Sequence, residues 1–171
     1  IDEQRLIADA TQTIVRNEGR PPKGWLGGSV TETRVTLDLL KEAGYRYVLD
    51  WPCDDQPIWM KTRNGPILSV PYPFELNDIG QIIQRGHTTR DFCDMIVDQF
   101  DEMVRRSVDR PQVFALSLHT FIVGQPFRIP PLRKALKHII EHPKKDSIWM
   151  TRADAISDHC YAMQAGIIPG S

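Results

Sequence analysis

The sequence has few cysteines, no long apolar run and almost no net charge, and each shortage excludes a class of protein. Its three cysteines, Cys53, Cys93 and Cys160, are odd in number and far apart, which argues against a disulfide framework or a zinc ribbon. No apolar run approaches the ~18 residues that a membrane-spanning helix requires. Its 21 Lys and Arg residues are scattered and balance 22 Asp and Glu residues, so there is no basic patch for nucleic acid or an anionic membrane. We therefore expect a globular, cytoplasmic protein that binds neither nucleic acid nor membrane.

Several nucleotide and hydrolase signatures are also missing. The sequence contains no P-loop, no G-x-G-x-x-G turn and no G-x-S-x-G nucleophile elbow. It also lacks an initiator Met and begins inside a helical pattern, from which we expect an N-terminal portion of the protein to be missing. Its length of 171 residues corresponds to one domain or to part of one.

What the sequence does contain is an alternation of helical and extended patterns. A first helix is predicted by apolar residues that fall on one helical face, namely Leu6, Ile7, Ala10, Ile14 and Val15. A second helix is predicted to begin at the N-cap Thr31 and to end at Gly44. A capping box from Thr88 to Asp91 predicts the start of a long third helix. The remaining helices are predicted over 130–142 and from about residue 151.

Extended segments lie between these helices. Strands are predicted at Trp25-Leu26, at 45–49, in a hairpin that turns at Asn64-Gly65, at 112–119 and at 147–150. Strands that alternate with helices indicate an α/β fold with parallel strands, either an open sheet or a barrel. Active sites of such folds lie beyond the carboxyl ends of the strands.

Three polar or aromatic positions fall at such strand ends: the segment after Trp25, Asp50 and His119. Histidine titrates near neutral pH, so His119 is a candidate general acid or base; the alternative is a core histidine bonded to backbone. Asp50 could bind one imidazole nitrogen and fix the tautomer, or it could cap the turn before Pro52.

Other candidates have equally simple structural alternatives. Arg20 precedes two prolines and could clamp a carboxylate, or it could be a solvated surface arginine. Trp51 and Trp25 could form the wall of a substrate groove or belong to the core. Glu75, Asn77 and Asp78 could bind a polar substrate or cap the next helix.

The segment from His138 to His142 matches the H-x-x-E-H pattern of inverted zinc proteases. The pair precedes Pro143 at a predicted helix end, where histidines suit the helix dipole. Four nearby positive charges also oppose a divalent cation; they belong to Lys134, Lys137, Lys144 and Lys145. We therefore expect no metal ligand among the residues of this chain.

Three motifs, taken in order, carry a family resemblance. Arg20-Pro21-Pro22, Asp50-Trp51 and Leu116-Ser117-Leu118-His119 resemble the third, fourth and fifth motifs of the polysaccharide deacetylase superfamily, which is carbohydrate esterase family four or the nodulation-deacetylase homology domain. Longer strings such as GWLGGSVTETRVTLDLL and VPYPFELNDI resemble the branch that contains allantoinase. The resemblance extends from residue 1 to about residue 161.

The resemblance implies that residues 1–171 are the C-terminal portion of a distorted (β/α)7 barrel domain. It implies a hydrolase of non-peptide carbon-nitrogen amide bonds in which His119 is the general acid, Asp50 its charged partner, Arg20 the residue that orients the base and Trp51 the groove wall. The first two family motifs, which supply the base and hold a divalent metal such as zinc, have no match here and are expected upstream.

The resemblance leaves the substrate open between an N-acetylated sugar and allantoin or another small amide or ureide. We expect the complete protein to be a homo-oligomer. The alternative is a catalytically inert structural or binding fragment, or one half of a split barrel that another chain completes.

Overall fold

The computed structural model describes residues 2–170, which divide into two compact units. Unit 1 is formed by the described parts of Ile1–Pro71 and Thr151–Ser171, and unit 2 is Tyr72–Met150. Each unit contains helices and extended segments of its own. That both are parts of one partial barrel domain over 1–171 stays a prediction.

Unit 1 contains a four-stranded sheet in the order β1-β2-β4-β3. Its strands are short: β1 Gly24–Trp25, β2 Tyr47–Val48, β3 Ile58–Met60 and β4 Ile67–Ser69. β1, β2 and β4 are parallel, while β3 pairs antiparallel with β4 as the predicted hairpin. The α/β class with mainly parallel strands is thus confirmed, whereas closure into a barrel stays a prediction.

Three helices belong to unit 1: α1 Glu3–Glu18, α2 Thr36–Glu42 and α6 Ala153–Ala162. Gly44 follows α2 with φ +89°, as predicted for a helix terminator. The amide of Gly44 donates to the Lys41 carbonyl at 3.1 Å and that of Tyr45 to the Leu40 carbonyl at 3.0 Å, which is the Schellman pattern. The prediction that Thr31 is the N-cap of α2 is wrong, because its hydroxyl donates to the Gly28 carbonyl at 2.7 Å within a preceding turn.

The core of unit 1 consists of two apolar clusters. Of the apolar residues predicted to form one face of α1, only Ile7 is buried; Leu6, Ile14 and Val15 are exposed. One cluster contains Ile7, Leu40, Tyr45, Val48 and Ile67, and the other contains Tyr47, Leu68, Val70, Cys160 and Ile168. Both clusters draw residues from β2 and β4, so they hold the sheet in place between the helices.

Unit 2 is mostly helical. Its elements are a six-residue π-helix Ile79–Gln84, α3 Thr89–Arg106, α4 Thr120–Val123 and α5 Ile129–Ile140. The predicted capping box is present, with the Thr88 side chain and the Asp91 side chain each bound to the other residue's backbone amide. Over residues 2–170, no helix is both long and apolar enough to cross a membrane.

Two predicted strands are corrected in unit 2. The predicted strand at 112–119 is not a regular strand. Among the described residues, its pairing is one isolated parallel bridge, between Ser117 and Asn77. The predicted strand at 147–150 is wrong, since Lys145–Ser147 is a 3-10 turn. Trp149 and Met150 of this predicted strand are 58% and 70% exposed.

Candidate functional site

His119 and Asp78 form a tight pair in unit 2. The Asp78 Oδ1 atom lies 2.6 Å from Nδ1 of the His119 ring, and Asp78 Oδ2 accepts the backbone amide of His119 at 2.7 Å. Asp78 is fully buried, whereas the His119 side chain is 32% exposed. A single carboxyl group therefore fixes both the backbone and the ring of a histidine that solvent can still reach.

The bridge at Ser117 explains why these residues meet. The Ser117 amide donates to the Leu76 carbonyl at 3.0 Å, and the Asp78 amide donates to the Ser117 carbonyl at 3.2 Å. These two hydrogen bonds pair Asn77 with Ser117, one residue before Asp78 and two residues before His119. Because of this pairing, His119 at the end of the apolar run lies beside Asp78.

The geometry selects the tautomer of the ring. An ionised carboxylate only accepts hydrogen bonds, so Nδ1 carries a proton and Nε2 remains as the atom that can exchange one. The Phe121 ring meets the His119 ring edge to face at 5.6 Å and is itself 67% exposed. An orienting carboxylate beside an accessible imidazole is an arrangement that can transfer a proton to or from a bound substrate.

Sequence reasoning treated Asp78 only as a substrate contact or a helix cap and did not assign it to His119. Its neighbours serve differently: the Asn77 Oδ1 atom accepts the Ile79 amide at 3.0 Å, which is the capping alternative. Glu75 is exposed, and its carbonyl accepts Gln81 Nε2 at 2.7 Å. The sequence shows a polar residue, Asp78, two positions after the apolar Leu76. Nothing in its spacing indicates the bridge between residues 77 and 117 that brings Asp78 to His119.

A second group of polar side chains surrounds Asp50 in unit 1, just beyond β2. Asp50 is 6% exposed, and its Oδ1 atom accepts the Gly27 amide at 2.7 Å. Trp51 donates from Nε1 to Glu32 Oε2 at 2.8 Å, and the Glu32 and Asp50 carboxyl groups lie close enough to influence each other's pKa. Sequence reasoning selected Asp50 and Trp51 but missed Glu32, which lies in a loop without a regular pattern.

Burial dominates the electrostatics of this group. Desolvation, assisted by the neighbouring Asp50, raises the pKa of Glu32 from 4.5 to about 7. Desolvation also raises the pKa of Asp50, although the Gly27 amide and Glu32 act in the opposite direction. The two carboxyl groups therefore cannot both be ionised at low cost when they face each other away from water.

The loop from β1 to α2 adopts a strained conformation on its way to Glu32. Ser29 and Val30 have φ values of +57° and +55°, which are costly for a β-branched residue such as valine. At Gly27 a Cβ atom would lie 2.7 Å from the Thr31 carbonyl oxygen and 3.2 Å from Asp50 Oδ2. Only glycine lets the loop approach the Asp50 carboxyl group closely enough to bind it.

The remaining predicted residues of unit 1 differ in their surroundings. Trp25 follows the core alternative: it meets Tyr45 edge to face at 5.5 Å. Trp51 is 37% exposed, and Arg20 is exposed immediately after the C-cap of α1. Trp25 is the last residue of β1 and Asp50 lies just after β2, and these neighbouring strands are parallel as predicted. His119 belongs to the other unit, so a pairing between Asp50 and His119 stays a prediction.

One cluster of metal-ligand type lies in unit 2, where α3 meets α5. Its members are Asp101, His138 and His142, and among the described residues no other such group was found. Asp101 Oδ1 lies 2.7 Å from His138 Nε2 and 3.6 Å from His142 Nε2. The arrangement does not suit a metal ion, because the Lys144 amide donates to His142 Nδ1 at 3.1 Å and so keeps the proton on Nε2. Asp101 thus hydrogen-bonds to His138 and lies within ion-pair distance of His142.

Comparison with known proteins points to a single superfamily. No family model matches the chain. Among curated proteins, the chain is 25% identical over 151 residues to a protein of Schizosaccharomyces pombe described as a polysaccharide deacetylase. That match covers 80% of this chain and 46% of the relative.

Solved structures extend the match. The Puue allantoinase superposes with a TM-score of 0.83 at 27% identity, covering 95% of this chain and 53% of that protein. A polysaccharide deacetylase structure from Pseudomonas aeruginosa PAO1 gives a TM-score of 0.80 at 26% identity, over 93% and 53% of the two chains. The chain therefore spans about half the length of these relatives. Over most of that span it is similar to polysaccharide deacetylases and to an allantoinase, and the resemblance predicted from the motifs is confirmed.

Proposed function

We propose that the protein hydrolyses non-peptide carbon-nitrogen bonds in a small amide or ureide, or in an N-acetylated sugar, with His119 as the general acid. The observation that carries this proposal is the Asp78–His119 pair, in which a buried carboxylate orients an accessible imidazole. The similarity to an allantoinase and to polysaccharide deacetylases supports the reaction class.

In the proposed reaction, water adds to the carbonyl carbon and the carbon-nitrogen bond breaks. The departing nitrogen needs a proton, which His119 Nε2 supplies while Nδ1 stays bound to Asp78. The products are a carboxylic acid and an amine, or the open-chain equivalents from a cyclic ureide. His119 then regains a proton that the attacking water has lost, so the cycle balances.

Asp78 is a positioning residue in this scheme. It accepts the hydrogen bond of Nδ1–H both before and after the proton transfer, so that Nε2 is the atom that carries the donated proton, and through the His119 amide it fixes the start of α4. The Phe121 ring supplies an apolar surface beside the imidazole, against which the uncharged part of a substrate can pack. These contacts explain why the acid is accessible without being mobile.

The other assignments follow from the resemblance and from each residue's position. We assign Asp50 and Arg20 to catalysis and Trp51, Trp25, Glu75 and Asn77 to substrate binding; Trp25 also contacts Tyr45, and Asn77 also binds the Ile79 amide. A metal such as zinc would be held by residues outside this chain, because the Asp101 cluster does not suit one. The whole protein is proposed to be a homo-oligomer.

The decisive experiment offers allantoin and an N-acetylated sugar oligomer side by side to the full-length protein, with and without a chelator. Ring opening of allantoin that survives the chelator selects a metal-independent amidohydrolase, whereas chelator-sensitive acetate release selects a metal-dependent deacetylase. His119→Ala should lower turnover by about 10²–10⁴-fold, the usual effect of removing positioned proton transfer.

His138→Ala is the matched control, because it removes a histidine of the same unit whose ring nitrogen pairs with Asp101 and to which the proposed reaction gives no role. It should leave turnover intact. Full activity of His119→Ala would contradict the assignment of the general acid. If a folded full-length protein turned over neither substrate, the catalytically inert alternative would be favoured.

A further inference from the structure

The Glu32 and Asp50 carboxyl groups contain two buried oxygen atoms that lack a conventional donor. One oxygen of each group is satisfied: Asp50 Oδ1 accepts the Gly27 amide, and Glu32 Oε2 accepts the Trp51 indole. The other oxygens, Asp50 Oδ2 and Glu32 Oε1, are buried and have no hydrogen-bond donor if both groups are ionised. Yet the two side chains are within hydrogen-bonding reach of each other.

A single proton removes this conflict. Two carboxylates face each other with acceptor atoms only, which leaves both oxygens unsatisfied and adds charge repulsion. If one group is a carboxylic acid, its O–H donates to the other, so both oxygens gain a partner at once. The pair then carries one negative charge instead of two.

We propose that Glu32 is a proton-donating partner of Asp50, and that in mildly acidic solution the two carboxyl groups share one proton and act together as one site of single negative charge. The proton is bonded to Glu32 Oε1 and donated to Asp50 Oδ2. Glu32 is thus a positioning residue that controls the charge of Asp50, a residue for which the proposed function assigns a catalytic role. The shared proton itself depends only on the geometry of unit 1.

The surroundings of the pair favour this assignment of the proton. Asp50 has the stronger donor, a charge-stabilising backbone amide at 2.7 Å, so it is the better place for the negative charge. Glu32 also faces Glu3 of α1, whose charge opposes ionisation of Glu32. Glu3 is occupied by the hydroxyl groups of Thr33 and Thr36, which keep it in place.

The pH dependence follows with a definite sign. Burial raises the pKa of Glu32 from 4.5 to about 7, so in this interval the folded protein keeps a proton that the unfolded chain releases. The stability contributed by this proton is complete below pH 4.5 and is lost as the pH rises through about 7. Above that point the pair has two negative charges.

The test is infrared spectroscopy of the full-length protein in D₂O, which resolves the carbonyl stretch of a protonated carboxylic acid from that of a carboxylate. The wild type should show an acid band at pH 6 that disappears with a midpoint near 7. Glu32→Gln should abolish the band, while its amide N–H replaces the donated proton and preserves the fold. In Asp50→Asn the midpoint should move to lower pH, because the repulsive neighbour is gone.

Glu102→Gln is the matched control. Glu102 is exposed, and its hydrogen bonds to Arg105 lower its pKa, so it has no acid band to lose near neutral pH. The proposal is overturned if no acid band titrates between pH 5 and 8, or if the band persists in Glu32→Gln. Thermal unfolding of each variant verifies that it is folded.

The assay with allantoin or the N-acetylated oligomer adds a second reading. In wild type the rate profile should show an inflection near pH 7 that Glu32→Gln lacks, although its melting temperature is retained. An acid band without turnover would support the shared proton and contradict only the proposed function. Turnover without a band would contradict the shared proton and leave the proposed function in place.

Discussion

Asp78 and Asp50 are buried aspartates that use the same backbone contact for different ends. Each has one oxygen bound to a backbone amide at 2.7 Å, from His119 in one case and from Gly27 in the other. The remaining oxygen meets an imidazole in unit 2 and a second carboxyl group in unit 1. The two aspartates thus differ in the partner of that second oxygen, which is an imidazole for Asp78 and a carboxyl group for Asp50.

Asp78→Ala should show the larger effect of breaking these two arrangements. It leaves the His119 amide and Nδ1 without an acceptor, and each unsatisfied buried group costs about 1–3 kcal/mol. The free energy of unfolding, measured by urea denaturation, should fall accordingly. Turnover should also fall toward that of His119→Ala, because the ring loses its fixed orientation.

Asp98→Ala is the matched control for this prediction. Asp98 is an exposed aspartate of α3 in the same unit, so its removal should change stability by no more than about 0.5 kcal/mol. Equal stability of Asp78→Ala and Asp98→Ala would show that the contact with His119 contributes nothing.

Gly27→Ala tests the Asp50 arrangement in unit 1 and should cause the next largest loss of stability. The added methyl group meets the Thr31 carbonyl oxygen at 2.7 Å and Asp50 Oδ2 at 3.2 Å, so the loop must shift, with a cost of about 1–3 kcal/mol. Gly28→Ala provides the control, because a Cβ atom there has no neighbour within 4 Å. Denaturation curves that coincide for these two variants would contradict the close approach of this loop to Asp50.

The smallest expected effect concerns Asp101, His138 and His142. Zinc should raise the melting temperature of the wild-type protein no more than that of a His138→Ala/His142→Ala double variant, since the described hydrogen bonds hold His142 in the wrong tautomer. A true site present with metal at 100 times its dissociation constant would add about 2.7 kcal/mol. A zinc-dependent difference of that size between the two proteins would restore the metal interpretation.

The sequence predicted what depends on local patterns. The capping box at Thr88, the terminator Gly44 and the hairpin through Asn64-Gly65 were all recognised, because each is encoded by a few neighbouring residues. The placement of Asp50 after a parallel strand followed from an extended segment that stops at a proline.

What the sequence could not predict depends on pairing between distant segments. The run 112–119 looks like a buried strand, yet its regular pairing is a single bridge, and that bridge is also what brings Asp78 to His119. Likewise, Glu32 reaches Asp50 through a loop with two residues at positive φ, for which no periodicity exists. The apolar residues at 147–150 predicted a strand that is not present, because apolar composition alone does not show whether other parts of the fold bury a segment.

The order of the two units along the chain has a consequence for synthesis on the ribosome. Unit 2 is continuous, whereas unit 1 is assembled from residues on both sides of it. The Trp59 amide donates to the Pro169 carbonyl at 2.8 Å, and Cys160 and Ile168 complete a cluster with Tyr47 and Leu68. During translation, the cluster of Tyr47 and Leu68 therefore lacks Cys160 and Ile168 until about a hundred further residues have been synthesised. All residues of unit 2 are synthesised before that point, so unit 2 can complete its own core first.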